Sequence, residues 1–181
     1  MAQGMKHADL KLCVKAVSDT AEDGTFEGLA AAYGNVDLGG DLIEQGAFEK
    51  SLKDRADKIP ILWQHNSHDP IGIGKLRDSY EGLLIAGELV LESPSARTAY
   101  ALLKKKAITG LSIGYEVLRD EVHNGVRVLK ELKLWEVSLV TFPMNPAALI
   151  SAVKSTAEFE RADVARIDAM FTAARKEMWR K

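Results

Sequence analysis

The dipeptide Asn124-Gly125 lies between two long segments with the composition of β-strands, and it is the strongest constraint on the fold. Asn-Gly is a preferred pair for a two-residue hairpin turn, because both turn positions need a positive φ. The sequence therefore predicts a strand over 111–122, a tight turn, and a return arm over 126–142 that is broken into two strands. Pro143 and Pro146 are expected to end this arm, because proline cannot donate to a sheet ladder.

Most of the other segments also have strand patterns. Further strands are predicted over 10–17, 26–33, 59–63, 71–76 and 83–91. Helices are predicted over 48–55 and from Pro94 to about Lys106, with Ser93 as the N-cap. Strands mostly follow one another along the chain, and the alternating strand–helix units of a parallel sheet are absent. The pattern predicts a β-rich α+β fold, with an antiparallel sheet closed or nearly closed into a β-barrel surrounded by helices.

The last part of the chain has a different periodicity. Apolar residues recur there at steps of three and four, which predicts a long amphipathic helix. Its apolar stripe consists of Phe159, Val164, Ile167, Met170, Phe171 and Met178. We therefore predict a barrel domain over 10–152 and a C-terminal amphipathic helix over 153–181. This helix would pack on its own barrel, on a second copy or on another protein.

Composition argues against several classes of function. The net charge of −2 over 181 residues provides no electrostatic basis for binding nucleic acid. The only cysteine, Cys13, excludes an internal disulfide and a cysteine-based zinc site. No apolar run approaches the length of a membrane span and the first residues are polar, so neither a span nor a signal peptide is expected.

Ser112 is a candidate nucleophile, within the string Gly110-Leu111-Ser112-Ile113-Gly114. The string fits the Gly-x-Ser-x-Gly elbow of α/β-hydrolases, but that elbow needs a strand before the serine and a helix after it. The predicted order is the reverse, which argues against a general esterase of that type. Ser112 and Gly114 should share one strand face, where the glycine would leave room for a substrate backbone.

His65 is a possible base for such a serine. It follows the apolar run 59–63, at the end of a predicted strand, where site residues are common. His65 and His68, followed by Asp69, could also bind a metal, but no further cluster of ligands accompanies them. A surface loop histidine is the plain alternative.

Glu136 is the acid that stands out among apolar residues. It should share a strand face with Leu134, Ser138 and Val140, and a buried acid there needs a partner such as a cationic histidine. An exposed edge position is the alternative. Asp37, Asp41 and Asp69 are competing loop acids.

Taken in series, these motifs resemble the prohead, or capsid maturation, proteases of tailed phages. The resemblance covers about residues 10–150 and rests on Leu62-Trp63-Gln64-His65-Asn66, on Ile108 to Tyr115, and on Leu134 to Ala147. Tyr33-Gly34-Asn35-Val36-Asp37 and Gly46-Ala47-Phe48 also match. The family consists of serine endopeptidases related in fold to the herpesvirus assemblins, which have a β-barrel ringed by helices.

The resemblance implies that Ser112 is the nucleophile, His65 the base and Glu136 the third catalytic member. It implies no metal and no organic cofactor. The expected substrates are the major capsid protein with its scaffolding segment, and the chain itself. The expected setting is the immature capsid in the host cytoplasm, with the protease as a homo-oligomer. The alternative function is a non-enzymatic capsid-assembly or scaffold-binding module on the same fold.

Overall fold

The computed structural model describes residues 23–54 and 58–154. The predicted strand over 10–17 and the apolar stripe of the predicted C-terminal helix lie outside these residues. The described strands are β1 (Thr25–Ala32), β2 (Asp41–Ile43), β3 (Lys58–Trp63), β4 (Asn66–Asp78), β5 (Gly82–Leu89), β6 (Gly110–His123), β7 (Val126–Val140) and β8 (Ile150–Lys154). The described helices are α1 (Glu49–Asp54) and α2 (Pro94–Lys104).

The strands form one mixed sheet, in the order β2-β7-β3-β4-β5-β1-β8, with β6 paired to β7. Three pairs of consecutive strands, β3–β4, β4–β5 and β6–β7, are antiparallel as predicted, and β1 pairs antiparallel with β5 and β8. However, β7 also pairs in parallel with β2 and with β3, which lie along the same side of it at opposite ends. The prediction of a purely antiparallel sheet is therefore wrong. Pairing between strands so distant in the chain leaves no local sign in the sequence.

The sheet curls into an open half-barrel, so the prediction of a closed or nearly closed barrel is also wrong. At the open side, Gly110 at the start of β6 and Leu149 just before β8 form an isolated bridge. α1 packs against β7, and α2 packs against β3, β4 and β5. Within the described ranges 23–54 and 58–154, these two helices cover only part of the sheet.

β7 is continuous over its whole length, and the predicted break into two strands is wrong. β7 instead contains a β-bulge, which the sequence did not predict. Gly114 pairs with Glu136 and Tyr115 pairs with Leu134, so Trp135 is an extra residue in β7. The bulge reverses the alternation of side chains. Leu134 therefore packs in the core, whereas Glu136 does not share its face as predicted.

Burial of apolar side chains holds the curled sheet together. The largest fully buried ones are Phe26, Phe48, Ile59, Ile61, Ile71, Leu83, Leu111, Leu129, Leu132, Leu134, Leu139 and Val137. Burying each of these contributes on the order of 1.5–3 kcal/mol before entropy costs. They come from β1, from β3 to β7 and, in the case of Phe48, from the turn just before α1, so the core ties together the strands that carry the candidate site. In the described ranges, no helix is long and apolar enough to cross a membrane.

Candidate active site

The candidate site lies where three neighbouring strands meet. β7 pairs in parallel with β3 on one side and antiparallel with β6 on the other. Ser138 of β7 is opposite Leu62 in β3 and opposite Ser112 in β6. The residues just beyond the end of β3 therefore reach the side chains of β7 and β6. The structure brings together His65, Ser112 and Glu136, which are far apart in the sequence.

The three side chains form a continuous hydrogen-bonded chain. The Oγ of Ser112 lies 2.9 Å from Nε2 of His65. Nδ1 of His65 lies 2.6 Å from Oε1 of Glu136. Both distances are within the range of a nucleophile–base and a base–acid contact. Ser112 and Glu136 are buried, whereas 44% of the His65 side chain is exposed, so solvent can reach the ring.

The geometry defines the tautomer of a neutral His65. An ionised carboxylate can only accept hydrogen bonds, so Nδ1 must carry the proton that faces Glu136. Nε2 is then left as the acceptor for the Ser112 hydroxyl proton. This is the arrangement that a general base needs in order to remove a proton from a serine.

His65 projects from a tight turn with an uncommon backbone conformation. Trp63 pairs with Asn66, so Gln64 and His65 form a two-residue hairpin turn between β3 and β4. Both residues have positive φ values, 52° and 59°, although neither is glycine or asparagine. Backbone of this kind costs on the order of 1–3 kcal/mol and persists only where its surroundings hold it. The sequence predicted a strand end here, where the chain turns, but not a two-residue hairpin turn with positive φ values.

Hydrogen bonds from the end of β7 hold the turn. The backbone N–H of Gln64 donates to the Leu139 carbonyl over 3.1 Å. The Gln64 side-chain amide donates to Oγ1 of Thr141 over 3.0 Å and accepts from the Thr141 N–H over 3.3 Å. Gln64 thus links the histidine turn to β7 through both backbone and side chain. Sequence reasoning gave it no role.

Gly114 makes room for the acid. A Cβ at this position would lie 2.5 Å from Oε1 of Glu136 and 2.9 Å from its Cγ. The space beside Gly114 was predicted to admit a substrate backbone, but in the structure the Glu136 side chain occupies it. Only glycine at this position leaves the carboxylate where it meets His65.

Ser138 is a further member of the cluster that sequence reasoning did not single out. It is fully buried, and its hydroxyl contacts both Glu136 and the backbone of His65. The available signal was its position two residues after Glu136 on the same strand. A polar residue there, among apolar neighbours, needs a hydrogen-bond partner just as the acid does.

The other candidate residues lie in different surroundings. Asp37 accepts hydrogen bonds from the N–H groups of Gly39 and Asp41 and so shapes its own loop. Asp41 forms an ion pair with Arg127 over 3.7 Å. His68 is exposed on β4. Across residues 23–54 and 58–154, no group of three or more His, Cys, Asp or Glu side chains is arranged to hold a metal ion. Cys13 lies outside the described residues.

Comparison with known proteins identifies similar chains in tailed phages. The model of a family described as caudovirus prohead serine protease matches residues 11–162. A protein of Enterobacteria phage HK97 named prohead protease is 32% identical over 141 residues, which make up 74% of this chain and 62% of that protein. A prohead protease of Escherichia phage T5 is 28% identical over 149 residues, 78% of this chain and 70% of that protein.

Two further similarities are partial. A capsid polyprotein of Pseudomonas phage PAJU2 is 34% identical over 113 residues, 58% of this chain and 17% of that protein. A crystal structure of KSHV protease in complex with a hexapeptide phosphonate inhibitor matches 70% of this chain and 63% of its own, with a TM-score of 0.48 and 15% identity. The chain therefore spans less than two thirds of the HK97 protein and a small part of the PAJU2 protein.

Proposed function

This chain belongs to the caudovirus prohead serine protease family, and we propose that it is a serine endopeptidase that cleaves capsid proteins during maturation of the phage prohead. The observation that carries the proposal is the hydrogen-bonded chain from Ser112 through His65 to Glu136. Family membership supports the class of reaction, and the geometry supports the assignment of roles to these side chains.

The proposed mechanism is acyl transfer. Nε2 of His65 accepts the proton as Ser112 Oγ attacks the carbonyl carbon of a peptide bond. Backbone N–H groups near Ser112 would hold the negative charge that develops on the carbonyl oxygen. His65 then gives its proton to the leaving amine, and the peptide C–N bond breaks. Water, activated by the same histidine, hydrolyses the acyl-enzyme and restores the Ser112 hydroxyl.

Glu136 would act on the histidine rather than on the substrate. Its carboxylate holds the tautomer that leaves Nε2 free to accept a proton. It also stabilises the imidazolium that forms when Ser112 is deprotonated, because the two opposite charges are adjacent and the acid is buried. The turn after β3 would thus position the base, and β7 would position the acid that orients it.

The proposed substrates are the major capsid protein with its scaffolding segment, and other copies of this chain. The relatives named prohead protease, and the one named capsid polyprotein, support a capsid setting. We further propose that the chain acts as a homo-oligomer inside the immature capsid, in the host cytoplasm. We also propose that a separate C-terminal amphipathic helix follows the half-barrel domain; the predicted boundary at 152/153 is too early, because β8 extends to Lys154.

The decisive experiment is cleavage of the cognate capsid protein by the parent chain and by Ser112→Ala, with the products identified by mass spectrometry. Labelling of both proteins with a fluorophosphonate provides a second readout. Ser79→Ala is the matched control, because Ser79 lies in a turn at the opposite end of β4 from His65. We expect cleavage and labelling by the parent and by Ser79→Ala, and neither by Ser112→Ala.

The alternative, a non-enzymatic capsid-assembly module, would give a different result. Such a protein would bind the capsid chain without cutting it, and it would not react with the fluorophosphonate. An inert parent protein would therefore overturn the proposed function. So would a Ser112→Ala variant that cuts as fast as the parent.

A further inference from the structure

Ser138 lies within the candidate site, opposite Ser112, and is fully buried. It is on β7, two residues after Glu136, and none of its surface is exposed. In the ladder it is opposite Ser112 of β6 and Leu62 of β3. A hydroxyl in such a place must find its partners within the protein, since an unpaired buried polar group is costly.

The Ser138 hydroxyl contacts both members of the base–acid pair. It donates its proton to Oε2 of Glu136 over 2.7 Å. The same oxygen accepts a hydrogen bond from the backbone N–H of His65 over 3.1 Å. Because Oε1 of Glu136 faces the imidazole, the two carboxylate oxygens have different partners, and rotation of the carboxylate would break both contacts.

The contact with His65 matters because the backbone there is strained. His65 has a φ of 59°, and its N–H group points back at β7. A hydrogen bond at the N–H defines the orientation of the peptide from which the imidazole extends. Displacing reacting groups by about 1 Å can cost on the order of a hundredfold in rate, so this anchor bears directly on the distance between Nε2 and Ser112.

We propose that Ser138 is a positioning residue for the reaction, holding the Glu136 carboxylate and the His65 turn in register with each other. This inference rests on the proposed function, because it concerns the same nucleophile and base. Ser138 touches no reacting atom. It acts through Glu136, by engaging Oε2, and through His65, by holding the backbone.

The test measures reaction with a fluorophosphonate, in which Ser112 Oγ bonds to phosphorus, fluoride leaves and His65 takes the serine proton. Ser138→Ala should lower the maximal rate of labelling about ten- to a hundredfold, the scale of losing a hydrogen bond to a charged group. The concentration for half-maximal rate should change little, because the probe does not contact Ser138.

A pair of variants of equal size tests whether the hydroxyl group itself restores the rate. Ser138→Thr and Ser138→Val add the same bulk to a buried position, but only threonine retains the hydroxyl. Threonine should react at least tenfold faster than valine if the hydroxyl is what matters. Ser51→Ala is the structural control, because Ser51 is also buried and its hydroxyl also accepts from a backbone N–H, in this case that of Leu134 in β7, away from the site. It should lose thermal stability and keep its labelling rate.

Proton NMR reports the His65–Glu136 contact independently of the labelling rate of Ser112. The proton between His65 Nδ1 and Glu136 should give a low-field proton resonance in the parent, because charge-assisted hydrogen bonds of this length are strong. Ser138→Ala and Ser138→Val should shift or broaden it, while Ser138→Thr and Ser51→Ala should leave it in place.

The outcomes distinguish this inference from the proposed function. A parent that does not react with the probe would overturn the proposed function and this inference with it. A reactive parent whose labelling rate and low-field resonance survive Ser138→Ala would overturn this inference alone. Equal rates for the threonine and valine variants would do the same.

Discussion

Gly114 and Glu136 lie opposite each other in the β6–β7 ladder, and the glycine leaves the space that the carboxylate fills. Any other side chain would have to share that space with an acid already engaged by His65 and Ser138. The site therefore depends on the absence of a side chain at position 114 as much as on the side chains of Ser112, His65 and Glu136.

We expect Gly114→Ala to fold and to react slowly. The added methyl would lie 2.5 Å from Oε1 of Glu136, so the carboxylate must move away from His65. The labelling rate of Ser112 should fall about tenfold or more, since the clash costs at least one charge-assisted hydrogen bond. Fluorophosphonate kinetics and a thermal unfolding curve measure the two effects. A folded variant with the rate of the parent would show that the carboxylate position is unimportant.

Glu136→Gln should fold normally and lose most of its activity. The side chain keeps its size, but its amide can turn an N–H toward Nδ1 and so favour the tautomer with the proton on Nε2. That tautomer cannot accept the Ser112 proton. The loss should be on the order of 10⁴ in the rate of capsid protein cleavage, the scale of an acid-to-amide change in a serine protease triad. Undiminished cleavage would exclude Glu136 and leave Ser112 and His65 as a dyad.

Gln64→Ala and Thr141→Val should show coupled effects on reactivity. Both weaken the link between the histidine turn and the end of β7, which the Gln64 amide makes with Thr141. Each should slow labelling of Ser112 several-fold, and the double variant should be little slower than Gln64→Ala, because the shared contact is already lost. Rates that multiply in the double variant would mean that the residues act separately.

Stability at high pH should depend on Tyr33. Burial, and then its hydrogen bond to Asp78, raise the pKa of Tyr33 above its usual range. Above about pH 10 the unfolded chain loses this proton while the folded chain keeps it, so the free energy of unfolding falls as pH rises. The contribution is fully present below that pH. The slope should be below about 1.4 kcal/mol per pH unit, the limit for one proton, because the ring is partly exposed.

Tyr33→Phe isolates this effect. Denaturant unfolding between pH 9 and 11 should show a shallower decline for the variant than for the parent. At neutral pH the variant should be less stable by about 1 kcal/mol, the scale of one hydrogen bond. Equal declines above pH 10 would contradict the raised pKa.

Local patterns predicted most of the strands, because alternation and turn chemistry act over a few residues. The segment 26–33 corresponds to β1 and the segment 59–63 to β3. Asn124 and Gly125 have φ values of 52° and 81°, as the hairpin turn requires. β2 and β8 escaped prediction, because β2 is short and β8 follows a loop with two prolines, so their pairing depends on strands elsewhere.

The sequence by itself determined which segments are extended and which side chains could act as nucleophile, base and acid. The roles of Ser112, His65 and Glu136 followed from the family resemblance carried by their motifs. Only the tertiary structure decided that β3 runs parallel to β7, that Trp135 is bulged, and that Gln64 and His65 form a strained turn. Each of these depends on packing between residues far apart in the chain, and such contacts have no local signature.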